Sequence, residues 1–194
     1  MEGGGKMESL LLREETGLNQ KIVIIINGKG GAGKDTVCEI AARHYRAENI
    51  SAITPIKEIA SRCGWNGEKD KKSRKFLSDL KRVFVEYNDL PNRYLEQEYQ
   101  KFMQGGRDIL FVHIRESDQI DAFRSKVSAR CVTLLVKSPR IDGSAEEYGN
   151  DSDDRVEDYA YDYCFVNGTQ REELESSFLR FFRELLRKEG VTAG

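Results

Sequence analysis

The sequence predicts an α/β fold in which one parallel sheet lies between two layers of helices. Short apolar segments alternate along the chain with segments of helical periodicity, as strands joined by crossover helices do. A glycine-rich turn joins the first apolar segment to the first helical one. At 194 residues, the chain is long enough to form one domain with a core covered on both faces.

The glycine-rich turn follows a predicted strand over 22–27 and opens a predicted helix over 33–47. It has the spacing G-x-x-x-x-G-K of a phosphate-binding loop, with Lys34 as the lysine. Glycines let the backbone curl so that successive N–H groups point at one anion, and the helix adds the positive end of its dipole. Lys34 adds a charge for the outer phosphates of a nucleoside triphosphate. We therefore predict that ATP binds at Gly28, Gly30, Gly31, Ala32, Gly33, Lys34, Asp35 and Thr36.

The residue after Lys34 departs from the usual form of this loop. Serine or threonine commonly follows the lysine, and its hydroxyl binds Mg²⁺. Here the position is held by Asp35, and Thr36 comes next. Two alternatives follow: Asp35 lies near Mg²⁺, or Thr36 supplies the hydroxyl from one position further on.

The remaining elements are predicted from the same two periodicities. Strands are expected at 50–54, 108–114, 131–136 and 163–166, and helices at 55–62, 76–87, 94–102, 116–126 and 170–188. Residues 1–20 are expected to be a frayed N-terminal segment. The acidic, polar segment 138–158 suits a mobile surface position. No linker divides the rest, so one domain over 21–190 is expected.

Composition excludes several classes of partner. The net charge of −2 gives no overall attraction to nucleic acid or to anionic membranes. No apolar stretch approaches the ~20 residues of a membrane span, and the acidic N-terminus does not suit a signal peptide. The four cysteines lie far apart without the spacing of a zinc site, so we expect reduced cysteines in a cytoplasmic protein.

Several stretches together resemble the deoxynucleoside monophosphate kinases, adenylate kinase-like proteins of the P-loop kinase superfamily. They are residues 33–36, 54–60, 64–70, 74–80, 115–116 and 162–169, within a resemblance that covers about 20–188. The resemblance implies a three-layer P-loop NTPase fold whose five-stranded parallel sheet has the order 2-3-1-4-5. It also implies an ATP donor site, an acceptor pocket under a helical insertion at about 55–104, and a lid at about 138–158.

Two positions depart from the pattern of that family. The family typically has an acid where this chain has Thr54, and another at the end of the third strand, where this chain has His113. The second acid normally helps to hold Mg²⁺ in these kinases. Asp35 or Glu116 could compensate for it. Alternatively, the protein is a non-catalytic nucleotide-binding or regulatory module with a degenerate metal site.

Arginines are the candidates for holding an acceptor phosphate, because a guanidinium fork matches phosphate oxygens. Arg115 follows the third strand and matches a family arginine, so it is predicted to hold the acceptor or the transferred phosphate. The alternative is an ion pair with Glu116 or Asp118. Arg74 and Arg82 lie on the helix expected over the acceptor pocket, and their alternative is a solvated surface.

Other residues carry weaker hypotheses. Arg140 and Arg155 flank the predicted lid and could close on the phosphates, or could balance the acidic charge around them. His113 could act as a base, although a histidine that ends a core strand is more often hydrogen-bonded structure. Trp65 could stack on a base or fill the core.

The sequence therefore predicts a cytoplasmic kinase that transfers the γ-phosphoryl group of ATP to a nucleoside monophosphate or a similar small acceptor. Lys34 and Arg115 are the predicted catalytic residues, and Mg²⁺ is the predicted cofactor. The alternatives are the nucleotide-binding module and a kinase of another phosphorylated metabolite. Neither nucleic acid nor a membrane is expected as a partner, and the oligomeric state stays open.

Overall fold

The computed structural model describes residues 16–68, 70–139, 156–168 and 171–194. Five strands and six α-helices are described in that part of the chain, together with a short 3-10 helix at Val156–Asp158. The strands are β1 Ile22–Asn27, β2 Ala47–Ser51, β3 Ile109–His113, β4 Arg130–Lys137 and β5 Tyr163–Val166. The helices are α1 Lys34–Ala42, α2 Thr54–Arg62, α3 Lys71–Asn88, α4 Leu90–Gln104, α5 Ser117–Arg124 and α6 Arg171–Lys188.

The strands form one parallel sheet with the order β2-β3-β1-β4-β5, which confirms the predicted fold class and strand order. β1 lies in the middle, pairing with β3 from Ile22 opposite Ile109 to Ile26 opposite His113. All six residues of β1 are buried, as a strand covered on both faces requires. The carboxyl ends of β1, β3 and β4 therefore meet at one edge of the sheet, where this class of fold binds its ligands.

Helices cover the two faces of the sheet with separate apolar clusters. On one face, α1 and α6 pack against alternate side chains of β1, β3 and β4. On the other face, α4 and α5 pack against the intervening residues of β1 and β3. The face under α6 is rich in aromatic rings: Phe182 contacts Tyr45, Phe111 and Phe178 at centroid distances of 5.6, 5.9 and 5.3 Å.

The first helix and the second strand differ from the prediction. α1 ends at Ala42, five residues before the predicted end, and β2 begins at Ala47, three residues before the predicted strand. Tyr45 follows Ala41 at helical spacing, but it reaches the core after the helix has ended, where it packs on Phe182. Its burial therefore has a cause other than helical periodicity.

The insertion after β2 has about the predicted bounds, but the helices within it are longer than predicted. α3 begins at Lys71 inside the charged run, because the Asp70 side chain accepts a hydrogen bond from the backbone N–H of Ser73 and caps the helix. Asp89 separates α3 from α4 with a left-handed backbone, φ 52°, and Pro91 lies in the first turn of α4. Thr54 begins α2, with Pro55 in its first turn.

Some predictions concern the ends of the chain and the segment before β5. Residues 16–20 of the predicted frayed segment are attached to the domain, since Leu18 bridges Ala193 and Thr16 bridges Tyr45. Most of the predicted lid, with Arg140 and Arg155, lies outside the described residues. No helix in the part of the chain that the structure describes is long and apolar enough to cross a membrane.

We predict that Phe182→Ala lowers the free energy of unfolding by about 3–5 kcal/mol, because it removes a fully buried ring from three aromatic contacts. Phe181→Ala is the matched control, since the neighbouring ring is only partly buried. It should cost less than half as much. Urea unfolding of both variants measures the difference. Equal losses would contradict this description of the core.

Candidate active site

The loop between β1 and α1 is held in its curled form by close contacts that only glycine allows. Gly28 has φ 149°, and a Cβ at this position would lie 2.3 Å from the carbonyl oxygen of Val136 in β4. Gly33 has φ 98°, and a Cβ there would lie 2.5 Å from Nδ2 of Asn167. Both positions combine a backbone that other residues rarely adopt with a lack of space for a side chain. Gly31 also has a positive φ, of 80°.

Lys34 lies over this loop. Its Nζ donates hydrogen bonds to the carbonyl oxygens of Gly28, at 2.5 Å, and Lys29, at 2.9 Å. The side chain therefore folds back from the first turn of α1 across the residues that form the loop. This places a full positive charge beside the N-terminus of α1, where the helix dipole also favours an anion.

Two asparagines that the sequence analysis did not single out form hydrogen bonds with the backbone of the loop. The buried Asn27 accepts a hydrogen bond from the N–H of Gly28 and donates to the carbonyl oxygen of Arg115. Asn167, directly after β5, donates to the carbonyl oxygen of Ala32 at 3.0 Å. In the sequence, each asparagine appears only as a polar residue at the end of a predicted strand. Such a residue does not indicate that the loop is its partner.

His113 lies at the end of β3, under the first turn of α1. Its Nε2 is 3.8 Å from Sγ of Cys38 and 4.0 Å from Oδ1 of Asp35. The pKa of His113 is lowered to about 4, mainly by burial; the nearby cations Lys34, Arg115 and Lys57 also lower it, and Asp35 opposes them. The imidazole is therefore neutral near pH 7, and its approach to Asp35 is not an ion pair.

The two predicted metal ligands lie on the open side of α1. Asp35 and Thr36 are both exposed, with 83 % of the Asp35 side chain accessible. Their oxygens suit Mg²⁺, which prefers carboxylate, hydroxyl and water ligands, whereas a neutral imidazole suits it poorly. Among the described residues, no group of three or more His, Cys, Asp and Glu side chains could hold a metal ion.

Arg115 is exposed just beyond His113, at the same edge of the sheet as the loop. Its neighbour Glu116 does not pair with it in the described contacts. Instead, Oε1 of Glu116 accepts a hydrogen bond from Nζ of Lys81 in α3 at 2.5 Å. This pair is well shielded, since the two side chains are only 16 % and 27 % exposed. The contact ties the middle of α3 to the end of β3.

The position of Lys81 also distinguishes the two predicted arginines of α3. Arg74 is seven residues before Lys81, so it lies on the same side of the helix two turns away. Arg82 lies about a quarter turn further around, and its guanidinium is 3.3 Å from Oε1 of Glu86. Both arginines are exposed. The structure therefore brings Arg74, more than Arg82, to the side of α3 that faces the sheet edge.

Lys57 is a further cation near the site that the sequence analysis missed. It lies on α2 one turn after Thr54 and contributes to the lowered pKa of His113. An open groove of about 420 Å³ runs along this helix, lined by Thr54, Lys57, Glu58, Ser61 and Arg62. Trp65 lies beyond the end of α2, half-buried, and donates its indole N–H to the carbonyl oxygen of Glu68.

Glu157 connects the loop with the return of the chain towards β5. Its carboxylate is 3.5 Å from Nζ of Lys29 and also accepts a hydrogen bond from Lys137, which ends β4. The hydrogen bond from Lys137 lowers the pKa of Glu157, so the carboxylate is charged. Position 29 is a variable position of the loop spacing, so no motif selects it.

Several solved structures with a similar fold are kinases. The chain is similar to a presumed kinase from Chloroflexus aurantiacus, with a TM-score of 0.51 and 11 % identity over 88 % of this chain and 97 % of that one. It is also similar to dephospho-CoA kinase from Campylobacter jejuni, with a TM-score of 0.50 and 17 % identity over 87 % and 98 %. This chain has the P-loop kinase fold.

A shikimate kinase from Bacteroides thetaiotaomicron is a weaker match, with a TM-score of 0.47 and 16 % identity over 86 % of this chain and 98 % of that one. No protein-family model and no curated protein sequence matches the chain. The structural neighbours are P-loop kinases, and this confirms the predicted resemblance at the level of the fold. At these identities, they do not carry over an acceptor or the role of any residue.

We predict that the imidazole of His113 titrates with a midpoint near pH 4 in the folded protein. Because this lies below the ordinary value of 6.5, the unfolded chain binds the proton first, and the free energy of unfolding falls as the pH drops from 6.5 towards 4. NMR titration measures the midpoint, and a His44→Gln variant assigns the signals, since the chain has two histidines.

His113→Gln should make the stability less dependent on pH between 6.5 and 4, which urea unfolding at three pH values would show. A midpoint at or above 6.5 would contradict the burial of this ring.

Proposed function

We propose that the protein transfers the γ-phosphoryl group of ATP to a small phosphate-bearing acceptor, with a nucleoside monophosphate as the first candidate. The observation that carries this proposal is the meeting of two sets of cations at one edge of the sheet. Lys34 lies over the phosphate loop, and Arg115 and Lys57 lie near enough to His113 to lower its pKa. The first set suits a donor triphosphate and the second suits an acceptor phosphate.

The donor half of the site rests on the loop. The backbone N–H groups of residues 30–36 and the N-terminus of α1 would surround the β- and γ-phosphates, with Lys34 exchanging its carbonyl partners for phosphate oxygens. Charge develops on these oxygens as the acceptor oxygen bonds to the γ-phosphorus and the bond to the bridging oxygen breaks. Preorganised amides and a lysine stabilise that charge, so the protein needs to supply little covalent chemistry.

The proposed metal position lies beside Lys34. Asp35 or Thr36 would hold Mg²⁺ together with phosphate oxygens, since both offer accessible oxygen ligands in the first turn of α1. Such an ion supplies neutralising charge between the phosphates when bound. His113 takes no part as a ligand in this proposal. Glu116 takes no part as a ligand either, because its Oε2 is buried and its Oε1 accepts a hydrogen bond from Lys81.

The acceptor half of the site rests on α2, α3 and the end of β3. In-line transfer requires the acceptor on the far side of the γ-phosphate, and the helices of residues 54–104 lie on that side of the sheet edge. Arg115 forms the floor of the proposed pocket, with Lys57 and Arg74 on its walls. The ion pair between Lys81 and Glu116 holds α3 in place above the floor.

The rest of the chain agrees with this proposal. We propose one catalytic domain over 21–190, because the described helices and strands pack on the two faces of a single sheet. The four cysteines form no disulfide with one another, and a cytoplasmic location is part of the proposal. Arg140 and Arg155 stay predictions, as does the acceptor role of Arg82.

A non-catalytic nucleotide-binding module is the second candidate. The observation that favours it is the neutral ring of His113, at a position where the kinases that the sequence resembles typically have an acid that helps to hold Mg²⁺. Both candidates predict nucleotide binding. They differ in whether a second, phosphate-bearing ligand raises turnover.

We predict that Lys34→Ala weakens ATP binding by about 10- to 100-fold, because a charge-assisted hydrogen bond to phosphate is lost. Lys29→Ala is the matched control: it removes a lysine of the same loop, but one whose ammonium lies 3.5 Å from Glu157. Its loss of affinity should be clearly smaller. Calorimetric titration with ATP and Mg²⁺ measures both. Equal affinities for the wild type and Lys34→Ala would rule out the proposed donor site.

We also predict that one or more nucleoside monophosphates raise ATP turnover above the background. Arg115→Ala should raise the KM for that acceptor at least about tenfold, with a smaller effect on the KM for ATP, because it removes an arginine fork to the acceptor phosphate. Arg74→Ala should act in the same direction, and more strongly than Arg82→Ala. ADP release with a panel of monophosphates tests this.

If no monophosphate raises turnover or alters ATP binding, while Lys34→Ala still impairs ATP binding, the nucleotide-binding module replaces the kinase.

A further inference from the structure

Asn27 is one of four polar residues that are buried in the described part of the chain, and it lies where β1 becomes the phosphate loop. Its side chain is 1 % exposed. A buried amide is costly unless its oxygen and its N–H groups find partners. The partners of Asn27 come from three separate segments of the chain, and all three segments adjoin the candidate site.

The first two partners of Asn27 are the phosphate loop and the backbone of Arg115. Oδ1 of Asn27 accepts a hydrogen bond from the N–H of Gly28 at 2.9 Å, and Nδ2 donates to the carbonyl oxygen of Arg115 at 3.0 Å. Backbone pairing between β1 and β3 ends just before this point, where Ile26 lies opposite His113. The amide therefore extends the connection between the two strands to the place where the loop and Arg115 leave the sheet.

The third partner of Asn27 is the hydroxyl of Tyr161, shortly before β5. Nδ2 of Asn27 donates to this hydroxyl at 2.8 Å, and the hydroxyl donates in turn to the carbonyl oxygen of Val156 at 2.9 Å. Burial raises the pKa of Tyr161 to about 12, so the hydroxyl keeps the proton that the second bond needs. Glu157, directly after Val156, contacts Lys29 of the loop. These contacts form a closed circuit that begins and ends at the loop.

The contacts of position 27 require an amide. The N–H of Gly28 can only donate and the carbonyl oxygen of Arg115 can only accept, so the side chain between them needs an acceptor and a donor. An aspartate has the same shape and would keep the first contact. It has no proton to donate at neutral pH, however, and would place its second oxygen against the carbonyl oxygen of Arg115. The link between the loop and Arg115 therefore depends on the chemistry of Asn27 as well as on its shape.

We propose that Asn27 and Tyr161 are positioning residues, which hold the backbone of Arg115 at a fixed place relative to the phosphate loop. This role rests on the proposed function, in which the loop binds the donor phosphates and Arg115 binds the acceptor phosphate. In-line transfer depends on the relative position of these two phosphates, and a displacement of about 1 Å can lower the rate on the order of 100-fold. Neither positioning residue touches the reacting groups, and both act on the acceptor through Arg115.

Asn27→Asp tests the contact with Arg115, because the two side chains have the same shape. It should raise the KM for the acceptor at least about tenfold, since Arg115 is displaced from the acceptor phosphate. The KM for ATP should rise less, since the contact with Gly28 remains. ADP release is measured with whichever of AMP, GMP, CMP, UMP and dTMP raises it most in the wild type. KM is the informative quantity, because a partly unfolded preparation lowers the apparent kcat without changing KM.

Arg115→Ala is the matched background for this test, because it removes the guanidinium and leaves the carbonyl oxygen that Asn27 contacts. If Asn27 acts through Arg115, adding Asn27→Asp to Arg115→Ala should change the acceptor KM by less than about twofold. Multiplication of the two single effects would show that Asn27→Asp acts by another route, such as its added charge, and would overturn the proposal. An unchanged acceptor KM in Asn27→Asp alone would also overturn it.

Tyr161→Phe tests the same circuit without burying a new charge. It removes only the hydroxyl, so Asn27 loses one acceptor and the carbonyl oxygen of Val156 loses its donor. Tyr159→Phe is the matched control: its ring lies 5.0 Å from that of Tyr161, but its hydroxyl donates to Asp121, outside the circuit. Tyr161→Phe should raise the acceptor KM at least about threefold, and Tyr159→Phe should leave it nearly unchanged. Equal effects of the two variants would contradict the positioning role.

Circular dichroism and urea unfolding check that the variants fold. Tyr161→Phe decides the proposal by itself if Asn27→Asp does not fold. The wild-type assay separates the positioning role from the proposed function. Acceptor-dependent ADP release that the variants leave unchanged would overturn only the positioning role. No acceptor-dependent release by the wild type would overturn the proposed function, and the positioning role with it.

Discussion

The close approach of Gly28 to Val136 is the constraint on which the candidate site depends. With the glycine backbone against the carbonyl oxygen of β4, the chain leaves β1 at an angle that wraps the loop around one point. Asn27 and Asn167 then hold the loop through its backbone, and Lys34 can fold across it. The loop is thus curled before any ligand binds, which lowers the cost of ordering it. The buried position of β1 at the centre of the sheet makes this arrangement rigid.

Much of this fold could be predicted from local patterns, because its strands are nearly continuous apolar runs and its first turn has a specific spacing. The ends of elements were less predictable where burial and periodicity have different causes. Tyr45 continues the apolar period of α1, yet it is buried by Phe182 after the helix has ended. The strand order came from the resemblance to a family and not from the pattern itself. The structure has that order, which no local pattern specifies, since parallel strands joined by crossover helices occur in several orders.

The curled glycine loop of the candidate site could be predicted from the sequence, and the side chains around the proposed acceptor pocket could be predicted less well, for a physical reason. Phosphate loops bind through consecutive backbone groups, so the residues that form them are contiguous in the sequence and can be recognised there. Acceptor pockets are assembled from side chains of several elements, and the relevant cations depend on how each helix is rotated. Sequence reasoning selected Arg74 and Arg82 on α3, whereas the structure turns Lys81 inwards to Glu116 and brings Lys57 near His113. A helix rotation of 100° separates Arg82 from that face, and no local pattern specifies it.

The contact between Lys81 and Glu116 determines which side of α3 faces the sheet edge and which side faces outwards. It fixes the rotation of a helix that has no fully buried residue of its own, so the inner side is held towards the sheet edge. Because a helix is rigid, the same rotation turns Phe76, Val83 and Tyr87 outwards in one row. The position of α3 over the proposed acceptor pocket therefore depends on this one shielded ion pair more than on the burial of its own side chains.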